Sequence, residues 1–220
     1  MSARDTILQR IREANQANPA DSIPAPGRVG VGSGAEPNYR RQWNATREEV
    51  IARFIERVSD YHVTVLHAPT ESDIVTIAER RLHERGITSL VIPADLPAGW
   101  RPQTPAPIED TDLSYEALDA TAGAMTGSFL GIAETGTIIL NAGPTQGRRA
   151  LTLLPDYHLC VIREAHVVGI VPEAIAALAP SIARASPITF FSGPSATADI
   201  ELDRVEGVHG PRTLDVILVA

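Results

Sequence analysis

Between residues 63 and 92 the sequence alternates strand, helix and strand, and this alternation restricts the fold more than any other feature. Val63-Thr64-Val65-Leu66 reads as a strand. A helix from about Ser72 carries Ile74, Ile77, Ala78 and Leu82 on one face, and Gly86 is placed to end it. Ser89-Leu90-Val91-Ile92 follows as a second strand. A strand–helix–strand unit of this length signals a parallel sheet entered through a right-handed crossover. The expected fold class is therefore α/β, a three-layer sandwich around a mostly parallel sheet.

The flanking segments extend this pattern. Thr46-Arg47-Glu48-Glu49 offers a capping box, with Val50, Phe54, Ile55 and Val58 following at helical spacing. Pro93 to Thr111 is rich in proline and reads as a surface loop, with a short helix near Leu113 to Leu118. Ala120 to Met125 feeds a glycine loop at Gly131, and Gly136 to Asn141 makes a strand. Further elements are expected at Arg148 to Leu154, His158 to Ile162 and Ile188 to Phe191. A helix is expected around Pro172 to Leu178, where Pro172 suits a first turn. Leu214 to Val219 closes the chain as an apolar strand. At the other end, Ser2-Ala3-Arg4-Asp5 could cap a helix with Ile7, Leu8 and Ile11 on one stripe. Residues 18–45 then mix proline, glycine and polar residues without periodicity. The expected domains are thus an N-terminal helix and Pro/Gly-rich extension over 1–45, and one α/β domain over 46–220.

Charge and cysteine content narrow the chemistry. The formal charge of −8 argues against nucleic acid as the main partner. All 19 basic residues are arginine, so lysine Schiff-base chemistry is excluded. Cys160 is the one cysteine. It rules out an internal disulfide and any cysteine-ligated iron–sulfur cluster or structural zinc site built from this chain alone. Its neighbours Leu159, Val161 and Ile162 make it a small core residue. No apolar run reaches membrane-spanning length and no signal-peptide core opens the sequence, so a cytoplasmic protein without membrane insertion is expected. His62, His67, His83, His158 and His166 lack ligand spacing, and no metal site is expected. His158, after Pro155-Asp156-Tyr157, is a candidate pocket-edge residue. No Gly-x-Gly-x-x-Gly follows the first strand, which leaves a dinucleotide without sequence support.

Three polar, glycine-bearing stretches carry the candidate chemistry. In Gly131-Ile132-Ala133-Glu134-Thr135-Gly136-Thr137 a carboxylate sits between two glycines, just before a strand. Glu134 could serve there as general base, acceptor or nucleophile, or could simply hold the turn through loop N–H groups. Thr135 and Thr137 could bind a ligand with their hydroxyls or cap nearby N–H groups. Arg148 and Arg149 follow a flexible loop; a guanidinium fork can hold a carboxylate by two parallel bonds, and Arg148 is favoured. Ser195, Thr197, Asp199 and Glu201 form the second stretch, where Asp199 also suits an N-cap. His209, between Gly207 and Gly210, could exchange protons near neutrality. Arg212 could bind an anion or pair with Asp215. The composite site predicted at the strand ends has Glu134 and His209 as catalytic groups. Thr135, Arg148, Ser195, Thr197 and Asp199 would bind substrate.

These three stretches and the segment Arg148 to Pro155, in chain order, resemble the lactate-utilisation protein C family, whose shared unit is the LUD domain. They are Gly131 to Thr137, Arg148 to Pro155, Gly193 to Glu201 and Gly207 to Pro211, and the resemblance spans roughly residues 46–220. It implies a fold similar to the sugar-phosphate isomerase and CoA-transferase group, whose nucleophile loop the Glu134 turn resembles. It also implies a part in oxidising L-lactate to pyruvate beside iron–sulfur partner proteins. The clusters would sit on those partners, with a small carboxylate as ligand and no redox cofactor in this chain. Two rivals remain at this level: a non-catalytic assembly subunit of that complex, and an independent enzyme acting on a CoA thioester or sugar phosphate.

Overall fold

Six parallel strands form the central sheet, in the order β1-β10-β7-β4-β2-β3. They are β1 (Thr64–Ala68), β2 (Leu90–Pro93), β3 (Ile108–Asp110), β4 (Gly123–Thr126), β7 (Tyr157–Arg163) and β10 (Thr213–Val219). The smaller sheet, in the order β8-β5-β6-β9, contains β5 (Leu130–Ile132), β6 (Thr137–Leu140), β8 (Val167–Val168) and β9 (Thr189–Phe191). The computed structural model describes residues 4–10, 39–194 and 210–220. It separates into a unit over 1–39, in which residues 4–10 are helical, and the α/β unit over 40–220.

Strand alternation explains why the central sheet is covered on both faces. Leu159 and Val161 of β7 and Ile217 and Val219 of β10 face the helix α2 (Ile74–Glu84), which buries Ile74, Ile77, Ala78 and Leu82. Cys160, Ile162, Val216 and Leu218 point the other way. They meet Val50, Phe54 and Val58 of the helix α1 (Arg47–Ser59), together with Ala133 and Ile138 of the small sheet's hairpin. The far face of that sheet packs Leu130, Ile132 and Ile139 on Ala174 and Leu178 of the helix α4 (Val171–Ala183). Near β2 and β4, Val91 and Ala124 are covered by Leu118 of the short helix α3 (Tyr115–Asp119) and by Leu151. The sheet is parallel because helices close both faces, the condition such sheets require.

Local signals place the helix ends. Thr46 accepts from the Glu49 N–H at 3.3 Å, and Glu49 accepts from the Thr46 N–H at 2.8 Å, so the predicted capping box is formed. Gly86, at φ +67°, follows the end of α2. β1 and β2 lie parallel in one sheet as expected, but β10, β7 and β4 stand between them.

Three expectations are corrected. The proline-rich stretch 93–111 contains an edge strand, β3, paired with β2 through Val91↔Ile108. Three residues, two of them exposed, leave no alternation to read. Arg212 faces Asp156 at 3.6 Å rather than Asp215, which is fully buried and held by other residues. Residues 40–45, read as the end of the extension, lie on the domain: the Trp43 N–H donates to Glu173 at 2.9 Å. A Cβ on Gly169 would fall 2.8 Å from the Trp43 ring, so glycine lets this segment approach.

Candidate functional site

The Gly131–Thr137 motif folds as the tight turn joining β5 to β6, and packing accounts for both of its glycines. A Cβ on Gly131 would meet Phe54 at 2.7 Å and Ile162 at 2.8 Å. Gly136 has φ +61° and lies against the backbone of Arg57 and Val58 at the end of α1. Glu134 points outward, its carboxylate 2.6 Å from the Arg40 guanidinium with both side chains about half exposed. The Glu134 N–H donates to the Gly169 carbonyl at 3.0 Å. The hydroxyls of Thr135 and Thr137 are 2.7 Å apart, and Thr137 continues to Ser192 at 2.7 Å. This chain of hydroxyls leads from the turn to the start of the second polar stretch.

At its end lies a cavity of about 70 Å³. By the measure on which one water needs roughly 10–15 Å³, it holds a molecule of a few heavy atoms. Leu140, Phe191 and Leu214 supply apolar wall; Arg149, Thr152, Thr189 and His158 supply the polar groups. Gly193-Pro194 and Gly210-Pro211 form its rim, so the ends of the second and third stretches do converge here. Ser195, Thr197, Asp199, Glu201 and His209 lie outside the described residues. The cavity sits near the amino ends of β7 and β10, where His158 and Leu214 are second residues of their strands, not at the carboxyl ends.

His158 is the best-defined group in this cavity. The Thr126 hydroxyl donates to the Gly127 carbonyl at 2.9 Å, so its oxygen accepts from the His158 Nε2–H at 2.8 Å. The proton is therefore assigned to Nε2, leaving Nδ1 as the acceptor. The Phe191 ring packs against it, tilted by 48° with centroids 5.9 Å apart. Burial pushes the imidazole pKa down to about 4. Such a group stays neutral at pH 7 and orients a hydroxyl far better than it removes a proton.

That burial has a measurable consequence. His158 resists protonation in the folded state, whereas an unfolded histidine takes a proton near pH 6.5. Stability is thus complete above pH 6.5 and falls as the pH drops toward 4, by roughly 3 kcal/mol in all. Denaturant titrations at pH 7 and pH 4.5 should show the loss, and His158→Gln should remove most of the slope between them.

Arg148 and Arg149 part company. Arg148 binds Asp110 through two nitrogens, at 2.7 and 2.9 Å, and donates to the Leu113 carbonyl. This pair holds the Asp110 carboxyl below its usual range, chiefly through the hydrogen bond. Arg149 is the arginine that lines the cavity, where it donates to the Thr189 hydroxyl. Sequence reasoning favoured the neighbour because nothing in the pair Arg148-Arg149 shows which side chain a distant aspartate will capture.

Cys160 is buried in the core, and burial raises its thiol pKa to about 12. Among the described residues no group of histidine, cysteine, aspartate or glutamate is arranged to hold a metal ion. Among them, too, no helix is long and apolar enough to cross a membrane.

Sequence reasoning missed one charged cluster altogether. Asp215 is completely buried in β10. Arg81 reaches it at 2.7 and 3.1 Å, Arg85 at 3.0 and 2.9 Å, and the Tyr157 hydroxyl at 3.0 Å. Burial alone would raise the Asp215 pKa, but the bonds from Arg81, Arg85 and Tyr157 outweigh it and hold it low. The available signals were an aspartate inside the apolar run 214–219 and two arginines four residues apart on one helix. With every partner of the Asp215 carboxylate a protein group, the cluster joins α2 to the sheet.

Fold and cavity together define an α/β protein with a small, mostly apolar cavity between its two sheets. The sequence matches the LUD domain over residues 51–219, and the chain belongs to that family. It is 41% identical to lactate utilization protein C of Deinococcus radiodurans, over 84% of this chain and 86% of the relative. It is also 31% identical to the uncharacterized protein YkgG of Escherichia coli, over 72% of this chain and 74% of the relative. Among solved structures, a DUF162 family protein from Deinococcus radiodurans superposes with a TM-score of 0.70 at 36% identity. That match covers 80% of this chain and 99% of the other.

Proposed function

We propose that this chain serves lactate utilization, supporting the oxidation of L-lactate to pyruvate together with iron–sulfur partner proteins. The observation that carries the reading is the 41% identity to a lactate utilization protein C across most of both chains. The cavity's chemistry agrees with a small 2-hydroxy acid. Arg149 pairs with the carboxylate, and the His158 Nδ1 accepts from the substrate hydroxyl. Thr135 is linked toward the cavity through the hydroxyls of Thr137 and Ser192, and Ser195, Thr197 and Asp199 are proposed to bind the substrate. With a pKa of about 4, His158 orients the hydroxyl, and the hydroxyl proton is taken by His209. The C2 hydrogen leaves with the two electrons, as a hydride equivalent, to a redox centre on the partner proteins, since one cysteine cannot ligate a cluster here.

Calorimetric titration of the full chain with L-lactate and pyruvate tests the ligand half of this reading. Saturable binding that Arg149→Gln weakens about tenfold, the loss of one charge-assisted hydrogen bond, is the expected result. Silence from both acids would favour the assembly-subunit reading instead. A specific observation stands behind that second reading: Glu134 lies on the outer surface, half exposed and paired with Arg40, where a partner protein can reach it.

A further inference from the structure

A second, larger depression opens at the carboxyl ends of the parallel strands, away from the lactate cavity. Its volume is about 590 Å³, within the range of roughly 300–1,000 Å³ typical of small-molecule sites. Arg163, the last residue of β7, and Ser128, just beyond β4, bring it to the sheet edge where open α/β folds usually bind ligands.

The lining is unusual for this protein. The chain carries a formal charge of −8, yet no acidic residue lines the groove, while Arg163, His166 and Arg184 all do. Arg163 is held in place from behind. Its Nε donates to Glu71 at 2.6 Å and its guanidinium lies 5.0 Å from the Trp100 ring centre. Those contacts leave both terminal nitrogens without a hydrogen bond among the described residues. The Arg184 side chain has no ion-pair or hydrogen-bond partner among them at all. Phe129, Leu130, Val168 and Ala177 supply an apolar floor. A fixed arginine, a free arginine and an apolar floor in one concavity ask for a ligand with several negative charges and an apolar body.

We propose that this groove binds a phosphate-bearing organic anion of nucleotide size, at a site separate from the lactate cavity. Arg163 and Arg184 take the phosphate oxygens as forked donors, and the apolar floor takes the organic part. L-lactate, with one carboxylate and three carbons, fills only a fraction of this volume.

The test is calorimetric titration of the full chain with ATP, coenzyme A and inorganic pyrophosphate in turn. Saturable binding of ATP or coenzyme A is expected, with pyrophosphate weaker by about tenfold or more for want of the apolar contact. Arg184→Glu, on an exposed side chain, should weaken binding at least about tenfold while leaving the melting temperature unchanged. Arg163→Gln should do the same, with its fold checked by the same melt. Excess L-lactate should not displace the bound anion. The proposal is overturned if neither ATP nor coenzyme A saturates the protein, if Arg184→Glu binds like the wild type, if pyrophosphate binds as tightly, or if L-lactate competes.

Discussion

Replacing Asp215 with alanine is expected to cost about 3 kcal/mol of folding stability, the largest loss from any single side-chain change outside the apolar core. The wild-type carboxylate is fully buried and receives Arg81, Arg85 and the Tyr157 hydroxyl. Removing it leaves Arg85 without its carboxylate, Arg81 with only the more exposed Glu84 at 3.1 Å, and the Tyr157 hydroxyl without an acceptor. Breaking a buried pair from one side typically costs roughly 3–5 kcal/mol. The lower end applies because Arg81 and Arg85 keep 15% and 34% of their side-chain surface exposed and can turn to water. Asp215→Asn keeps the shape and one acceptor oxygen, so its loss should be smaller. Acid acts on the same group. The Asp215 pKa is lowered in the fold, so its stabilisation is present above the ordinary aspartate range and disappears as pH falls below it. That window lies below the one assigned to His158, and denaturant titrations down the pH scale should resolve two steps of loss.

Gly136→Ala is expected to be nearly as damaging, at about 3 kcal/mol, for a reason that involves no lost contact. The residue has φ +61°, and a Cβ there would sit 2.6 Å from the Arg57 carbonyl carbon and 2.8 Å from the Val58 nitrogen. Both are backbone atoms of α1 and cannot rotate aside. The left-handed conformation costs roughly 1–2 kcal/mol for alanine, and separating the hairpin from α1 adds a similar amount through lost packing at Phe54 and Val58. Gly86 provides the control. Its φ of +67° imposes the same conformational cost, but nothing lies within 4 Å of its added Cβ. Gly86→Ala should therefore lose only about 1–2 kcal/mol, and the difference between the two variants measures the clash alone. Equal losses would show that strain, not the approach of α1, fixes Gly136.

Those two residues also mark where the sequence was legible and where it was not. The strand–helix–strand unit, the capping box at Thr46 and the apolar run at the end of the chain are local signals, and each element forms where those signals put it. The fold class follows from such signals because a parallel sheet needs little more than apolar runs alternating with amphipathic helices. Non-local choices were hidden. Gly131 and Gly136 flank the Glu134 turn read as candidate chemistry, yet packing against α1, some eighty residues earlier, accounts for both, with Ile162 also against Gly131. Arg148 was favoured over Arg149 as the ligand arginine, yet Asp110 claims it. His158 could be marked as a pocket-edge residue, but its neutrality depends on the two sheets that enclose it. Asp215 was legible only as an anomaly, a charge inside an apolar strand, because its two arginine partners lie about 130 residues away, on α2 and at its C-cap.

The central claim, that this chain serves lactate oxidation, is tested most directly by growth of the native host with the chain deleted. L-lactate and pyruvate should be supplied in parallel as sole carbon sources. The account predicts that the deletion strain fails on L-lactate, grows normally on pyruvate, and recovers on L-lactate when the wild-type chain is restored. Normal growth of the deletion strain on L-lactate, in a host with no second copy of the chain, would contradict it.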